Sequence, residues 1–235
     1  MKYLFPLIVL IAFSVIISCD SNSSEPEDIN EYMSLSVGDI REYSITDLNM
    51  YQIWEIKAKT KRVDNTEVYI GQWSSNLDSV DQNDISYYFI RDGYFFSTNL
   101  VMTANVGNPF NEQKLAKIYP KDGDKWVHTE GGTDSNKSYF YSKYIGDYTT
   151  PAGSFKDVFG FTLDNFLTVY YAKQFGHIGS SSATNPKVSY AQINYAKING
   201  KDIGKFVPFS TVKLSKRNIE VSKQVKINFL GQFVK

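Results

Sequence analysis

The sequence predicts an all-β domain: an antiparallel barrel, half-barrel or sandwich of about ten to thirteen strands, with one short helix. Three observations predict it. Aromatic side chains make up 15% of the chain, with 17 Tyr and 16 Phe, and such residues favour sheet. Short strand-like runs recur from Arg41 onward, separated by Asp-Gly, Asn-Gly and Asp-Asn turn signals. Many of these runs alternate apolar and polar residues, so one face of the sheet is expected to be wet.

The first element is an export signal. Lys2 supplies its positive start, and Leu4 to Ile17 its apolar run, with Phe5, Leu7, Ile8, Val9, Leu10, Ile11 and Phe13. The run is shorter than the ~20 apolar residues of a comfortable membrane span, and Pro6 weakens it further. It closes on Ile16-Ile17-Ser18-Cys19, and Cys19 is the only cysteine. This stretch resembles the lipobox of bacterial prolipoproteins, which reads Leu or Ile, a small or aliphatic residue, Gly, Ala or Ser, then Cys. The resemblance implies cleavage before Cys19, a diacylglyceryl thioether on its sulfur and an acylated amine, and so the membrane as a partner. Several acyl chains, each worth about 0.8 kcal/mol per buried methylene, hold a protein on a membrane. An ordinary signal with an incidental cysteine is the plainer alternative. The lone cysteine favours lipidation, because in a compartment that permits disulfides it can form no internal one.

Asp20 resembles the inner-membrane retention signal of enterobacterial lipoproteins. Acids after the cysteine equally resemble the surface-export signal of Bacteroidota-like ones. The expected location is the bacterial cell envelope, with the outer membrane or cell surface preferred to the inner membrane. Residues 1–18 are then the signal peptide, 19–31 the lipidated cysteine and a flexible tether, and 32–235 a single β-rich domain. The tether follows from its composition, since Asp20 to Asn30 is polar and lacks aromatics.

The strands come next. Arg41 to Thr46 is the first. Tyr51 to Val63 alternates, turns at Asp64-Asn65 and returns through Glu67 to Ser74 as a hairpin. Tyr87 to Arg91 and Tyr94 to Thr98 flank Asp92-Gly93, a type I′ signal. Asp122-Gly123 precedes Lys125 to His128, and Ser138 to Ile145 follows. Phe155 to Leu163 turns at Asp164-Asn165 into Phe166 to Lys173. Tyr190 to Ile198 turns at Asn199-Gly200 into Lys201 to Phe206. Val212 to Leu214 and Ile219 to Phe229 close the chain. The one helical expectation is Asn111 to Ile118, where Phe110, Leu115 and Ile118 share a face and Pro120 ends it. The Ser/Thr/Asn-rich run Gly179 to Asn185 reads as a loop.

Four motifs resemble a group of β-rich envelope lipoproteins common in Bacteroidota and Ignavibacteria-like bacteria. Leu35-Ser36-Val37-Gly38-Asp39-Ile40-Arg41-Glu42-Tyr43 is similar to the group's Pro-Leu-x-Val-Gly-Asn-x-Trp-x-Tyr, with Asp39 for Asn and Arg41 for Trp. Pro151-Ala152-Gly153-Ser154-Phe155 is similar to Pro-Ala-Gly-Thr-Phe. Tyr170-Tyr171-Ala172-Lys173-Gln174-Phe175-Gly176-His177 is similar to Tyr-Tyr-Ala-x-Gly-x-Gly-Leu, with Gln174 for the first Gly. Ile198-Asn199-Gly200-Lys201-Asp202-Ile203-Gly204 resembles the group's hairpin. The resemblance implies a lipid-anchored β-domain akin to half-barrels that hold hydrophobic ligands. It carries over no activity and no catalytic residue.

The composition excludes one class of partner. The chain has 25 basic and 25 acidic residues, and removing the signal takes away only Lys2. Such balance gives no field to gather nucleic acid. No cofactor motif stands out: there is no Gly-x-Ser-x-Gly elbow and no phosphate loop. Lipidation would remove Cys19 as a nucleophile. His128 and His177 lie far apart, lack further ligands at metal spacing and read as structural, so no metal is expected. Asp78, Asp81 and Asp84, with Asn83, offer oxygens for calcium, but the spacing is not that of an EF-hand, and a solvated loop is the preferred reading.

The aromatics are the positive signal. Trp54, Trp73, Trp126, Tyr139 and Tyr141 are the candidate ligand-binding residues, for a glycan platform or a lipid cavity. The alternative, preferred on general burial trends, is that they fill the core. The expected function is a lipid-anchored, non-catalytic envelope protein binding a hydrophobic ligand, a glycan or a partner protein. Two alternatives stand beside it: an envelope hydrolase with carboxylates assembled by the fold, and a structural or assembly lipoprotein.

Overall fold

The computed structural model describes residues 31–33, 35–45, 50–76, 84–98, 112–128, 137–208, 227–228 and 232–233. Their strands are β1 Ile40–Ile45, β2 Met50–Lys61, β3 Glu67–Ser75, β4 Asp84–Arg91, β5 Tyr94–Thr98, β6 Gln113–Lys117, β7 Lys125–Val127, β8 Tyr139–Thr150, β9 Gly153–Leu163, β10 Leu167–Ala172, β11 Gly176–Ser182, β12 Ser189–Ile198, β13 Lys201–Gly204, β14 Ile227–Asn228 and β15 Gln232–Phe233. Among the described residues there is no helix, and so none long and apolar enough to cross a membrane.

Strands β1 to β13 form one antiparallel sheet in the order β6-β5-β4-β3-β2-β1-β12-β11-β10-β9-β8-β7, with β13 beside β12. Two meanders, β1–β6 and β7–β12, lie side by side and are joined through the β1–β12 ladder. The free ends of this path meet again. The Lys114 N–H at β6 donates to the His128 carbonyl just after β7, at 2.7 Å. Trp126 Nε1 donates to the Lys114 carbonyl at 3.4 Å, and the Lys117 ammonium pairs with Asp124 at 2.8 Å. The sheet therefore nearly closes on itself as a barrel, which leaves little raw edge exposed.

The tight turns follow their sequence signals. Asp92-Gly93 has φ of 52° and 74°, and Asn199-Gly200 has 49° and 77°, the double positive φ that a type I′ hairpin needs. Asp164-Asn165 adopts the same sign pair, at 42° and 60°.

Two expectations are corrected. The short helix expected over Asn111 to Ile118 is instead strand β6 across Gln113–Lys117. Pairing with β5 skips Leu115, the extra residue of a bulge, and both Leu115 and Ala116 reach the core. That break in alternation imitates a helical face. The run from Gly179 is not a loop until after Ser182: β11 is a strand buried at every residue. Its small side chains are what allow close packing. A Cβ on Gly179 would lie 2.8 Å from the Ala191 carbonyl oxygen, so the strand can only approach β12 without one. The expected strand Val212 to Leu214 lies outside the described residues, as do residues 1–30 with Cys19. Of Ile219 to Phe229 only Ile227–Asn228 is described, paired with β15.

Candidate functional site

Glu31, Tyr32, Met33 and Leu35 belong to no strand. They form a strap across one mouth of the barrel, between the end of β6 and the β10–β11 turn. The Tyr32 N–H donates to the Ile118 carbonyl at 3.0 Å, and the Gln174 N–H donates to the Glu31 carbonyl at 2.8 Å. Tyr119 hydroxyl donates to the Glu31 carboxylate at 2.9 Å. Tyr32 sets its ring edge-on to Phe159 at 5.3 Å, and Met33 is fully buried. Asp39 ties two of the sequence motifs together at this mouth. Its carboxylate accepts the Ser36 N–H at 3.1 Å and the Asn199 N–H at 3.0 Å.

Behind this strap the interior is a belt of aromatic rings. Tyr88 stacks on Phe95 at 5.4 Å and meets Trp54 edge-on at 5.3 Å. Trp54 and Trp73 stack across the β2–β3 hairpin at 6.1 Å, and Trp73 continues to Tyr43 at 6.3 Å. His177 bridges Tyr43 at 5.1 Å and Tyr171 at 5.5 Å. From Tyr171 the belt runs to Phe161 at 5.0 Å, to Trp126 at 5.1 Å, and back to Tyr94 of β5 at 6.2 Å. Gly71 has room only for hydrogen, since a Cβ there would lie 2.6 Å from both the Trp54 indole nitrogen and the Tyr88 ring.

Thus Trp54, Trp73 and Trp126 come together in the buried interior, in line with core filling. Tyr139 and Tyr141 do not join them. They lie on the outer face of β8, where Tyr141 is 43% exposed, and the Lys125 ammonium sits over both rings at 4.1 and 5.1 Å. Asp84 opens β4, while Asp78, Asp81 and Asn83 lie outside the described residues. Among the described residues no three His, Cys, Asp or Glu side chains gather as metal ligands.

A polar knot sits within the belt, and sequence reasoning did not assign it as a site. Arg41 is fully buried. Its Nε and Nη2 donate to one acceptor, the Phe175 carbonyl, at 3.2 and 2.9 Å. Its guanidinium carbon lies 4.9 Å from the Trp54 ring centroid. Burial pushes its pKa down, while Tyr43, Asp39 and Tyr171 favour the cation. Beside it the Tyr43 hydroxyl donates to the His177 carbonyl at 3.2 Å and lies 3.1 Å from His177 Nδ1. On the opposite side of β1, Glu42 accepts from Asn194 Nδ2 at 2.6 Å and from the Val207 N–H at 3.0 Å. Burial raises its pKa against those two donors.

Desolvation, then the Arg41 charge, push the His177 pKa from 6.5 to about 3. The folded state therefore holds a neutral ring while the unfolded chain takes up a proton below pH 6.5. Stability from this group is fully present above that pH and is lost as pH falls from 6.5 towards 3. Replacing His177 by Leu should flatten this part of the curve. The unfolding free energy of the variant relative to wild type, from urea curves between pH 8 and pH 4, should rise as acid is added, by up to about 3 kcal/mol. A parallel pair of curves would show that His177 is protonated in the fold.

Fold and site together define a class: a nearly closed antiparallel β-barrel with a strapped mouth, an aromatic lumen and a buried cationic knot. No family model matches the chain, and no curated protein matches it. A solved structure that resembles it is the crystal structure of a Bacteroides fragilis protein of YmcC-like fold, inferred to be exported. The two share 12% identity with a TM-score of 0.38, over 72% of this chain and 99% of that one.

Proposed function

We propose that the chain is a lipid-anchored, non-catalytic protein of the bacterial cell envelope whose barrel takes up a hydrophobic ligand. The observation that carries this reading is the aromatic lumen crossed by a strap. Eight strands enclose about as much space as their own side chains fill, and larger barrels enclose more. Here twelve strands run around the path, and the balance is filled by large aromatics and by Tyr32, Met33 and Leu35 of the strap. A segment outside the ladders can leave without breaking strand pairing. In sequence the same segment follows the tether from Cys19, which supports a lumen whose strapped mouth lies towards the anchor.

The test is mass. Residues 1–19 are replaced by a cleavable secretion signal, and the exported protein is weighed native and denatured. The expected result is a small apolar adduct present only in the native spectrum. A bare polypeptide in both would overturn the ligand-holding part. The anchor is tested separately: the wild-type chain should incorporate labelled palmitate, and Cys19→Ser should abolish it. Label retained by that variant would overturn lipidation at Cys19.

A second reading, glycan binding, is favoured by Tyr139 and Tyr141 side by side on the outer face of β8. Aromatic faces pack against sugar rings, but here the Lys125 ammonium covers both.

A further inference from the structure

Arginine keeps its charge in proteins, and a buried charge is ordinarily paired. Arg41 is not paired. It makes no ion pair among the described residues, and its Nη1 is buried without a hydrogen-bond partner. The nearby Asp39 carboxylate is already engaged by the backbone of Ser36 and Asn199. Nε and Nη2 share one edge of the guanidinium and spend it on the Phe175 carbonyl, so the rest of the fork is left without an acceptor. His177 Nε2 also lacks a hydrogen bond of good geometry, although the Gly179 backbone lies near. A stack on Trp54 offsets part of the cost of the cation, yet it satisfies no N–H.

Met33 of the strap and this cation both close on Gly176. A Cβ on Gly176 would lie 2.7 Å from the Met33 sulfur and 3.0 Å from Arg41 Nη2. Strap and cation therefore converge over a residue with no side chain and with φ of +77°. Met33 is unbranched and adaptable, the kind of residue that yields its place readily, and the strap that carries it is outside the sheet.

We propose that Arg41 is the head-group site for an anionic amphiphile, a molecule with a carboxylate or phosphate head and an apolar tail. The ligand displaces the Met33 strap, sets its head against the free edge of the guanidinium and lays its tail along the aromatic belt. This rests on the ligand-holding reading above and names the chemistry it would take. A planar fork suits either oxyanion.

The probe is 9,10-dibromostearate, whose bromines quench indole on contact. The chain has 3 Trp, all lining the belt, so every one reports. The protein is the mature chain from residue 19 carrying Cys19→Ser, titrated with the acid, with the matching dibromo alkyl phosphate and with the uncharged dibromo alcohol. The expected result is saturable quenching by the acid, the phosphate or both, with the alcohol at least tenfold weaker. Whichever anion binds more tightly identifies the head. Arg41→Gln and Arg41→Met should each bring the anions down to the level of the alcohol, and Arg41→Lys should restore part of the difference. Met33→Ala should strengthen binding severalfold. Near-ultraviolet circular dichroism confirms that each variant is folded, and two Arg41 variants guard against the loss of one. Equal binding of alcohol and anions by wild type would overturn the head-group site while leaving the apolar-ligand reading standing. No quenching by any probe, in wild type and Met33→Ala alike, would overturn both.

Discussion

Trp54→Ala should be the most destabilising single change in the barrel, lowering unfolding stability by about 3–5 kcal/mol. Trp54 is fully buried on β2 and touches the interior from three sides: Trp73 stacks on it, Tyr88 meets it edge-on and Arg41 lies over its face. Truncation loses the transfer energy of the indole and leaves a cavity that the sheet, held by ladders on both sides of β2, cannot close. It also removes the aromatic face that lies against the Arg41 guanidinium, so the buried cation keeps its hydrogen bonds to the Phe175 carbonyl but loses its stack. The measurement is the urea midpoint at pH 8, where His177 is neutral in both states. A loss below about 1 kcal/mol would mean that the belt repacks freely, which native packing density argues against.

The fold was legible where local chemistry and global architecture agree. The double positive φ of Asp92-Gly93 and Asn199-Gly200 is demanded by their residue types, so those hairpins could be placed from sequence. The Trp54 and Trp73 positions fell on facing strands for the same reason, and they are register partners in the structure. What the sequence hid was long-range. Leu115 is a bulge residue, and a bulge shifts the apolar phase by one, which reads locally as a helix. Serines 180 to 182 are buried because neighbours cover them, and composition sees only their polarity. The main-chain bond that helps close β6 on β7, from Lys114 to His128, carries no sequence signal at all.

The candidate site was legible in half. Its aromatics were visible as a class, but which of them shared an interior was not. Tyr139 and Tyr141 alternate with Phe140, and only the fold decides that Phe140 points in. The polar knot has a faint signal in the sequence. Arg41 and His177 stand where the motifs that the sequence resembles have Trp and Leu, so two basic residues occupy positions expected to be apolar. Each alone reads as a surface substitution. Only the β1–β12–β11 arrangement brings them to one place, 136 positions apart in the chain.

Arg41→Met should make the protein more stable, by about 1–2 kcal/mol, while removing its preference for anionic ligands. The two sides of the balance can be set against each other. Burying an unpaired charge costs several kcal/mol even after relaxation, and methionine, an unbranched apolar chain, removes that cost. Against it, the Phe175 carbonyl loses the donors at 3.2 and 2.9 Å, which costs at most about 1–3 kcal/mol, the figure for a fully buried acceptor, since this one is only partly buried. The stack on Trp54 is replaced by a sulfur–aromatic contact of similar size. No partner carboxylate is orphaned, because no ion pair with Arg41 exists among the described residues. That is what separates this substitution from breaking a buried salt bridge, where the abandoned charge makes the variant worse. Arg41→Ala would not serve, since its cavity would mask the gain. The check is a pair of urea curves at pH 8 without ligand. A midpoint raised above wild type would place Arg41 among residues kept at the expense of stability, as groups that bind ligands commonly are. A midpoint lowered by 1 kcal/mol or more would mean that Arg41 holds the fold together through Phe175 and Trp54, and the site would then be structural.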